Sequence, residues 1–262
     1  MTGTTLKYFT KQASVEQIEA SFNSDYSRLL SILEDHTYGL AQESYAEIIE
    51  MFVTVGISAI EITTAAEILS SLFQRVYIAA DTLYRPWYSS AFNHLSKVTP
   101  QEFAALYAGA VSNLSNTRAA SISPAIVESI RTSVNKPDFD PARTTNVMSS
   151  RFSRTETNGA AGSIVEATAA SMFADSTLYK RWLSVGDERV RFTHARAAAR
   201  KPIPANQLYQ VGDVFMRFPS DPQAFGGNVA GEVVNCRCRN LILPFSVDQP
   251  NSNSLNQFLT GL

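Results

Sequence analysis

The chain has 262 residues, of which 45% are hydrophobic and 18% charged, enough apolar material for one large or two modest cores. A formal net charge of −2 gives no global attraction to nucleic acid or to an anionic membrane. No stretch approaches the roughly 18 to 20 uncharged apolar residues of a membrane span, because the run at residues 51–60 stops at polar and acidic residues.

The charge is unevenly spread. Residues 1–90 hold 5 basic and 11 acidic side chains, whereas residues 150–240 hold 12 basic and 8 acidic. The start, Met1-Thr-Gly-Thr-Thr, has no basic segment followed by an apolar one, so no secretory signal is expected and synthesis in a cytoplasm is the default.

Ser14-Val-Glu-Gln17 is a capping-box pattern, and Val15, Ile18, Phe22, Tyr26, Leu29 and Leu33 then recur at helical steps, which predicts an amphipathic helix ending near Gly39. From Ala41 to about Phe73 the apolar residues Ile48, Ile49, Phe52, Val53, Ile60, Ala65, Ile68 and Leu72 continue the helical spacing. A break is expected at one of two places, Gly56 or the β-branched pair Thr63-Thr64.

Thr99-Pro100-Gln101-Glu102 is a stronger start signal, with a threonine cap, proline at the first helical position and a glutamate that reaches back. Ser123-Pro124 repeats the cap-proline logic for a helix through Val134. Asn135-Lys-Pro137-Asp-Phe-Asp-Pro141 then breaks the pattern and is the candidate boundary.

Residues 148–173 read as an alanine-rich helix interrupted or kinked at Asn158-Gly159. Beyond Lys180 the chain changes to short strand-like segments at residues 179–184, 214–218 and 239–243, expected to form one small antiparallel sheet. The fold class expected is α+β, a mainly helical N-terminal region followed by a small antiparallel-sheet module. Its divisions are a helical docking or assembly region at 1–140, a module at 141–245 and a polar tail at 246–262.

The densest signature lies in that module: Trp182-x4-Asp187-x-Arg189-Val-Arg191-x2-His194, then Pro219-Ser-Asp221-Pro222, then Asn235-Cys236-Arg237-Cys238. Upstream stands Arg154-Thr155-Glu156. Blocks of this kind in this order resemble the phage Mu F-type minor head proteins, also called head morphogenesis proteins, whose pattern is an R-T-E helix, a tryptophan strand, D-x-R-V-R-x-x-H, a P-G-D-P turn and N-C-R-C. The resemblance covers roughly residues 148–243. Two positions depart from it. Ser220 replaces the glycine of P-G-D-P, and the run Ala197-Ala-Ala-Arg200-Lys201 lacks the family's usual glycine. Residues 1–145 carry no part of the resemblance.

The resemblance implies a virion component made in the host cytoplasm and placed inside the head near the portal, aiding assembly and DNA delivery. The partners implied are portal or capsid proteins, further copies of the chain and non-specific DNA, with no membrane. The alternatives are an ejected internal protein that contacts DNA and a phage-borne enzyme or effector module.

Arg154, Glu156, Trp182, Asp187, Arg189, Arg191, His194, Asp221, Asn235, Cys236, Arg237 and Cys238 are read as a structural polar network, since arginine forks and carboxylates knit loop-rich units through bidentate hydrogen bonds. No enzymatic role is expected. Gly226-Gly227 lacks the lysine and hydroxyl of a phosphate loop, no G-x-S-x-G elbow occurs, and no catalytic residue is assigned. Arg196, Arg200 and Lys201, beside Arg189 and Arg191, form a basic run that could meet phosphates without reading bases.

Cys236 and Cys238 stand too close for an ordinary structural disulfide, which suits a reducing compartment. With His194 they are three candidate metal ligands, and Asp187 or Asp221 is available as a fourth. On an extended strand, however, C-x-C sets its sulfurs at a separation that one metal rarely matches without a bend. The expectation is therefore no metal and no cofactor, with the cysteines packing as small apolar groups.

Overall fold

Tyr26, Leu33, Ile48 and Phe52 recur on one face of a single helix, α1 (Val15–Thr54), which runs straight through Gly39. The helix end expected there does not occur, because both flanks of Gly39 continue the same buried stripe and the packing outweighs the cost of one helical glycine. The chain is described for residues 15–174 and 176–244 of a computed structural model, so the capping box at Ser14 and the polar tail lie outside the described residues.

The break falls at Gly56, whose φ of 106° admits glycine and few other residues. Ser58 then caps α2 (Ala59–Phe92): its hydroxyl accepts from Ile60 N, and its backbone N–H donates to the Glu61 carboxylate. Thr63 and Thr64 lie inside α2, their hydroxyls donating back to the carbonyls of Ala59 and Ile60. A 3-10 turn at Asn93–Leu95 leads to α3 (Pro100–Tyr107), capped as expected by Thr99 and Glu102. Ser123-Pro124 does not start a helix. It lies within α4 (Ala110–Val134), where Ser123 is buried.

The fifth helix, α5 (Pro141–Met172), is capped by Asp140 and continues unbroken through Asn158-Gly159. Those two residues serve packing. A Cβ on Gly159 would lie 2.9 Å from the Ser220 carbonyl oxygen, and one on Gly162 would lie 2.6 Å from the ring of Phe218. The bare backbone of α5 is thus the surface on which the loops of the module rest.

After α5 come β1 (Tyr179–Leu183), α6 (Phe192–Ala198), β2 (Ile203–Pro204), β3 (Tyr209–Val211), β4 (Val214–Met216), β5 (Phe225–Gly226), α7 (Val229–Val233) and β6 (Arg239–Leu243). They form two antiparallel three-stranded sheets, ordered β2-β1-β6 and β3-β4-β5, where one sheet was expected. The split follows from the hairpin at Gly212, which pairs β4 with β3 and keeps it from β1 and β6.

Two apolar cores result. The larger joins α1, α2, α4 and α5 to Leu183, Leu241, Ile242 and Leu243. The smaller holds Trp182, Tyr209, Val211, Val214, Met216, Val233, Cys236 and Cys238. Alternate side chains of β1 therefore serve different cores. The larger core crosses residue 140 without interruption, since Phe152, Ile164 and Val165 of α5 are built into it. Tyr88 of α2 also donates to the carbonyl of Ile242 in β6, at 3.0 Å. No helix among the described residues is long and apolar enough to cross a membrane.

Candidate functional site

The signature blocks converge on the buried face of α5. Asn158 places its amide nitrogen 3.0 Å from three acceptors, the Ser220 hydroxyl and the carbonyls of Cys236 and Cys238. Three residues earlier, the Thr155 hydroxyl accepts from Asn235 N at 3.3 Å. Asn235 has a φ of 56°, a left-handed bend that ends α7 and turns the Cys236–Cys238 segment before β6 begins. The cysteines therefore lie between that turn and the first residue of β6, outside the strand itself.

That bend changes the chemistry. His194, on the first turn of α6, is 2% exposed and lies between the two thiols. Its Nδ1 is 3.5 Å from Cys236 Sγ and 3.4 Å from Cys238 Sγ. On the other side of the ring, Nε2 is 2.9 Å from the Glu232 carboxylate, which also accepts from the Thr193 hydroxyl at 2.9 Å. A carboxylate only accepts, so Nε2 carries a hydrogen, and in the neutral tautomer that this selects the Nδ1 lone pair faces the sulfurs. Trp182 meets the imidazole edge-on, with centroids 5.2 Å apart, and closes the cluster from β1.

The two thiols are unequal. A hydrogen bond from Cys238 holds the Cys236 thiol well below its usual range, and the same pairing together with burial pushes the Cys238 thiol up. One of the two is thus the readier thiolate.

Other predicted residues fall into separate roles. Arg191 donates to the carbonyls of Val234 (2.6 Å) and Glu232 (3.4 Å), fixing the end of α7. Asp221 accepts from Arg217 N and its guanidinium and from Gln223 N, which closes the Pro219–Pro222 turn. Asp187 and Arg237 form a fork at 2.7 and 2.8 Å, and that fork holds the Asp187 carboxyl below the usual carboxylate range. The pair is well exposed, at 41% and 44% of side-chain area, so it is a surface latch. Arg189 is exposed, and its backbone N–H donates to Asp187.

The R-T-E block divides. Arg154 turns outward to Glu34 of α1 at 3.6 Å, whereas Glu156 turns inward to Arg118 of α4. Arg196, Arg200 and Lys201 are exposed on and just beyond α6, and the guanidinium of Arg196 lies over the Phe192 ring. Asp187 and Asp221, considered above as a fourth metal ligand, are committed to Arg237 and Arg217 respectively. Among the described residues the group of potential ligands is His194, Cys236 and Cys238, all within 4.8 Å of one another.

Sequence reasoning missed Arg118, Asn158, Lys180 and Glu232. Glu232 stands four residues before Cys236, a spacing that could have drawn notice, but its partner is 38 residues away in sequence. Lys180 is 1% exposed, donates to the Arg217 carbonyl at 2.7 Å and lies 5.0 Å from the centre of the Tyr209 ring. Nothing in a strand-like Tyr-Lys-Arg-Trp run marks its lysine as buried. Comparison of the chain with protein-family models, with curated proteins and with solved structures finds no match.

Proposed function

We propose that the protein is a structural minor head component of a phage particle, working at the portal or the inner face of the capsid without an enzymatic step. The observation that carries this reading is the convergence of the signature blocks. The R-T-E helix, the tryptophan strand, His194, the Pro219–Pro222 turn and Asn235–Cys238 are spread over some 80 residues, yet they meet through Asn158, Thr155 and Trp182. The Ser220 departure supports the same reading. Ser220 has a φ of 61°, so the family's glycine would stand at a left-handed position that favours glycine.

A head component acts through surfaces, and the helical region offers one. Val53, Val55 and Ile60 are exposed around the turn between α1 and α2, at 53%, 69% and 74%. Beside them runs an apolar groove between α1 and the start of α5, lined by Ile49, Val53, Pro141 and Ala142. Clustered aliphatic side chains of this kind mark contact sites more often than solvent-facing surface. The acidic surplus of residues 1–90 would steer a basic partner to it.

The second reading, an internal protein that contacts DNA, is favoured by the exposed Arg196, Arg200 and Lys201. One experiment separates the two. Full-length Val53→Asp/Ile60→Asp should lose retention on the portal or procapsid of the same phage, while Arg196→Ala/Arg200→Ala/Lys201→Ala should keep it. The reverse result, with duplex DNA binding that falls steeply with salt and is lost in the basic triple variant, would favour the DNA-contacting reading.

A further inference from the structure

We propose that Cys236, Cys238 and His194 form a binding site for a zinc-class cation, oriented by Glu232. The argument starts from the electron pairs. With the ring hydrogen on Nε2 and donated to Glu232, Nδ1 has a single lone pair in the ring plane. Two sulfurs approach that one atom at 3.5 and 3.4 Å. A thiol–imidazole hydrogen bond accounts for one of them. A cation that accepts electron pairs from Nδ1 and from both sulfurs accounts for all three.

The two nitrogen–sulfur distances fit such an ion. Zinc–sulfur bonds of about 2.3 Å and zinc–nitrogen bonds of about 2.0–2.1 Å, held near the tetrahedral angle, set nitrogen and sulfur roughly 3.5 Å apart. The donor set of two soft thiolates and an imidazole selects zinc and similar ions over magnesium or calcium, which prefer oxygen.

The surroundings have the second layer that metal-bound histidines use. Glu232 accepts from the ring nitrogen opposite the one facing the sulfurs, a carboxylate–histidine–metal relay that fixes the tautomer and raises the basicity of the ligand. Asn158 holds the carbonyls of Cys236 and Cys238, so the backbone that carries both sulfurs is fixed to α5. All three ligating residues are 2–3% exposed. Binding releases the thiol protons to solvent and ties α6 to the segment before β6, 42 and 44 residues apart, so the ion adds to folding stability.

The site rests on these contacts and not on the phage reading, and its test uses the full chain, purified without a histidine tag. Elemental analysis should find one zinc per chain. The reduced, metal-stripped protein should take up cobalt(II) with a thiolate-to-metal charge-transfer band and tetrahedral visible bands. Cys236 and Cys238 are the two cysteines of the whole sequence, so that charge-transfer band identifies them as ligands even if their serine variants fail to fold. Glu232→Gln should keep the band and weaken zinc binding roughly 10- to 100-fold in competition with a chromophoric chelator. Unchanged affinity would remove Glu232 from the site. A folded protein with two titratable thiols that takes up neither metal overturns the proposal and leaves a thiol–imidazole pair, as does stoichiometric zinc retained by folded Cys236→Ser/Cys238→Ser.

Discussion

Arg118 and Glu156 form a buried fork, Nε to Oε2 at 2.7 Å and Nη2 to Oε1 at 2.6 Å, that joins α4 to α5, while the remaining guanidinium nitrogen donates to the carbonyl of Pro222 at 3.2 Å. One arginine thus ties the helical core to a loop of the module. The side chains are only 9% and 5% exposed, so removing either partner strands a charge away from water. Arg118→Ala should cost about 3–5 kcal/mol in urea unfolding, and Arg118→Met/Glu156→Leu should recover much of that loss. Equal losses in the single and double variants would mean that the fork contributes by packing alone.

The Asp187–Arg237 fork has nearly the same geometry but faces water. Asp187→Ala should therefore cost no more than ~1 kcal/mol. Arg191→Ala, which leaves the Val234 and Glu232 carbonyls without their donor, should cost roughly 1–3 kcal/mol. Thermal melts of the two variants side by side give the order, and a larger loss for Asp187→Ala would contradict it.

Gly162→Ala should destabilise the protein by about 1–3 kcal/mol, because the new methyl group would lie 2.6 Å from the buried Phe218 ring. The gain in helix propensity, at most about 1 kcal/mol, offsets only part of this. Trimming the ring with Phe218→Leu in the same chain should make the alanine better tolerated than it is alone. Strict additivity of the two losses would show that the residues do not meet.

Lys180 gives a pH dependence of definite sign. Burial strips water from its ammonium and pushes its pKa down to about 8, against the pull of Glu166 and Asp221. Between that value and the ordinary lysine range the unfolded chain holds the proton and the folded chain does not, so the contribution of Lys180 to stability rises as pH increases from 8 to 10, while the buried tyrosines, whose pKa values burial raises, contribute in the opposite direction as pH approaches 10. Below pH 8 both states are protonated and the penalty is constant. Chemical denaturation of the native protein and of Lys180→Met side by side should show their stability difference moving in favour of the native protein across this window. A variant with the same slope would assign the rise to other groups.

Cleavage in the exposed loop at Lys136–Asp140 should leave two fragments that stay together on gel filtration, because α5 is packed into the core of α1, α2 and α4. Residues 141–262 expressed alone should bind a hydrophobic dye and fail to melt cooperatively. A cooperative melt of that fragment would show that the module is independent after all.

Local signals determined a good part of this protein. The Thr99–Glu102 cap, the apolar periodicity of α1 and α2 and the strand at Arg239–Leu243 were legible because each rests on neighbouring residues in the chain. The α+β class followed from the change of period beyond α5. The helix ends misread at Gly39, Ser123-Pro124 and Asn158-Gly159 have one cause. At each, tertiary packing outweighs an unfavourable local preference: Asn158 and Gly159 meet distant parts of the chain themselves, whereas the exposed Gly39 and Pro124 are carried by buried neighbours on the same helix.

The site divides in the same way. The sequence marked His194, Cys236 and Cys238 as potential ligands, but the bend at Asn235 that turns both sulfurs to one imidazole nitrogen is set by Thr155 and Asn158 on α5. Glu232 reaches the other face of the ring only because α6 and α7 are brought together. Residue types are written in order along the chain, whereas the distances that decide between a thiol pair and a metal site depend on contacts some 40 to 80 residues apart, and only the tertiary fold fixes those.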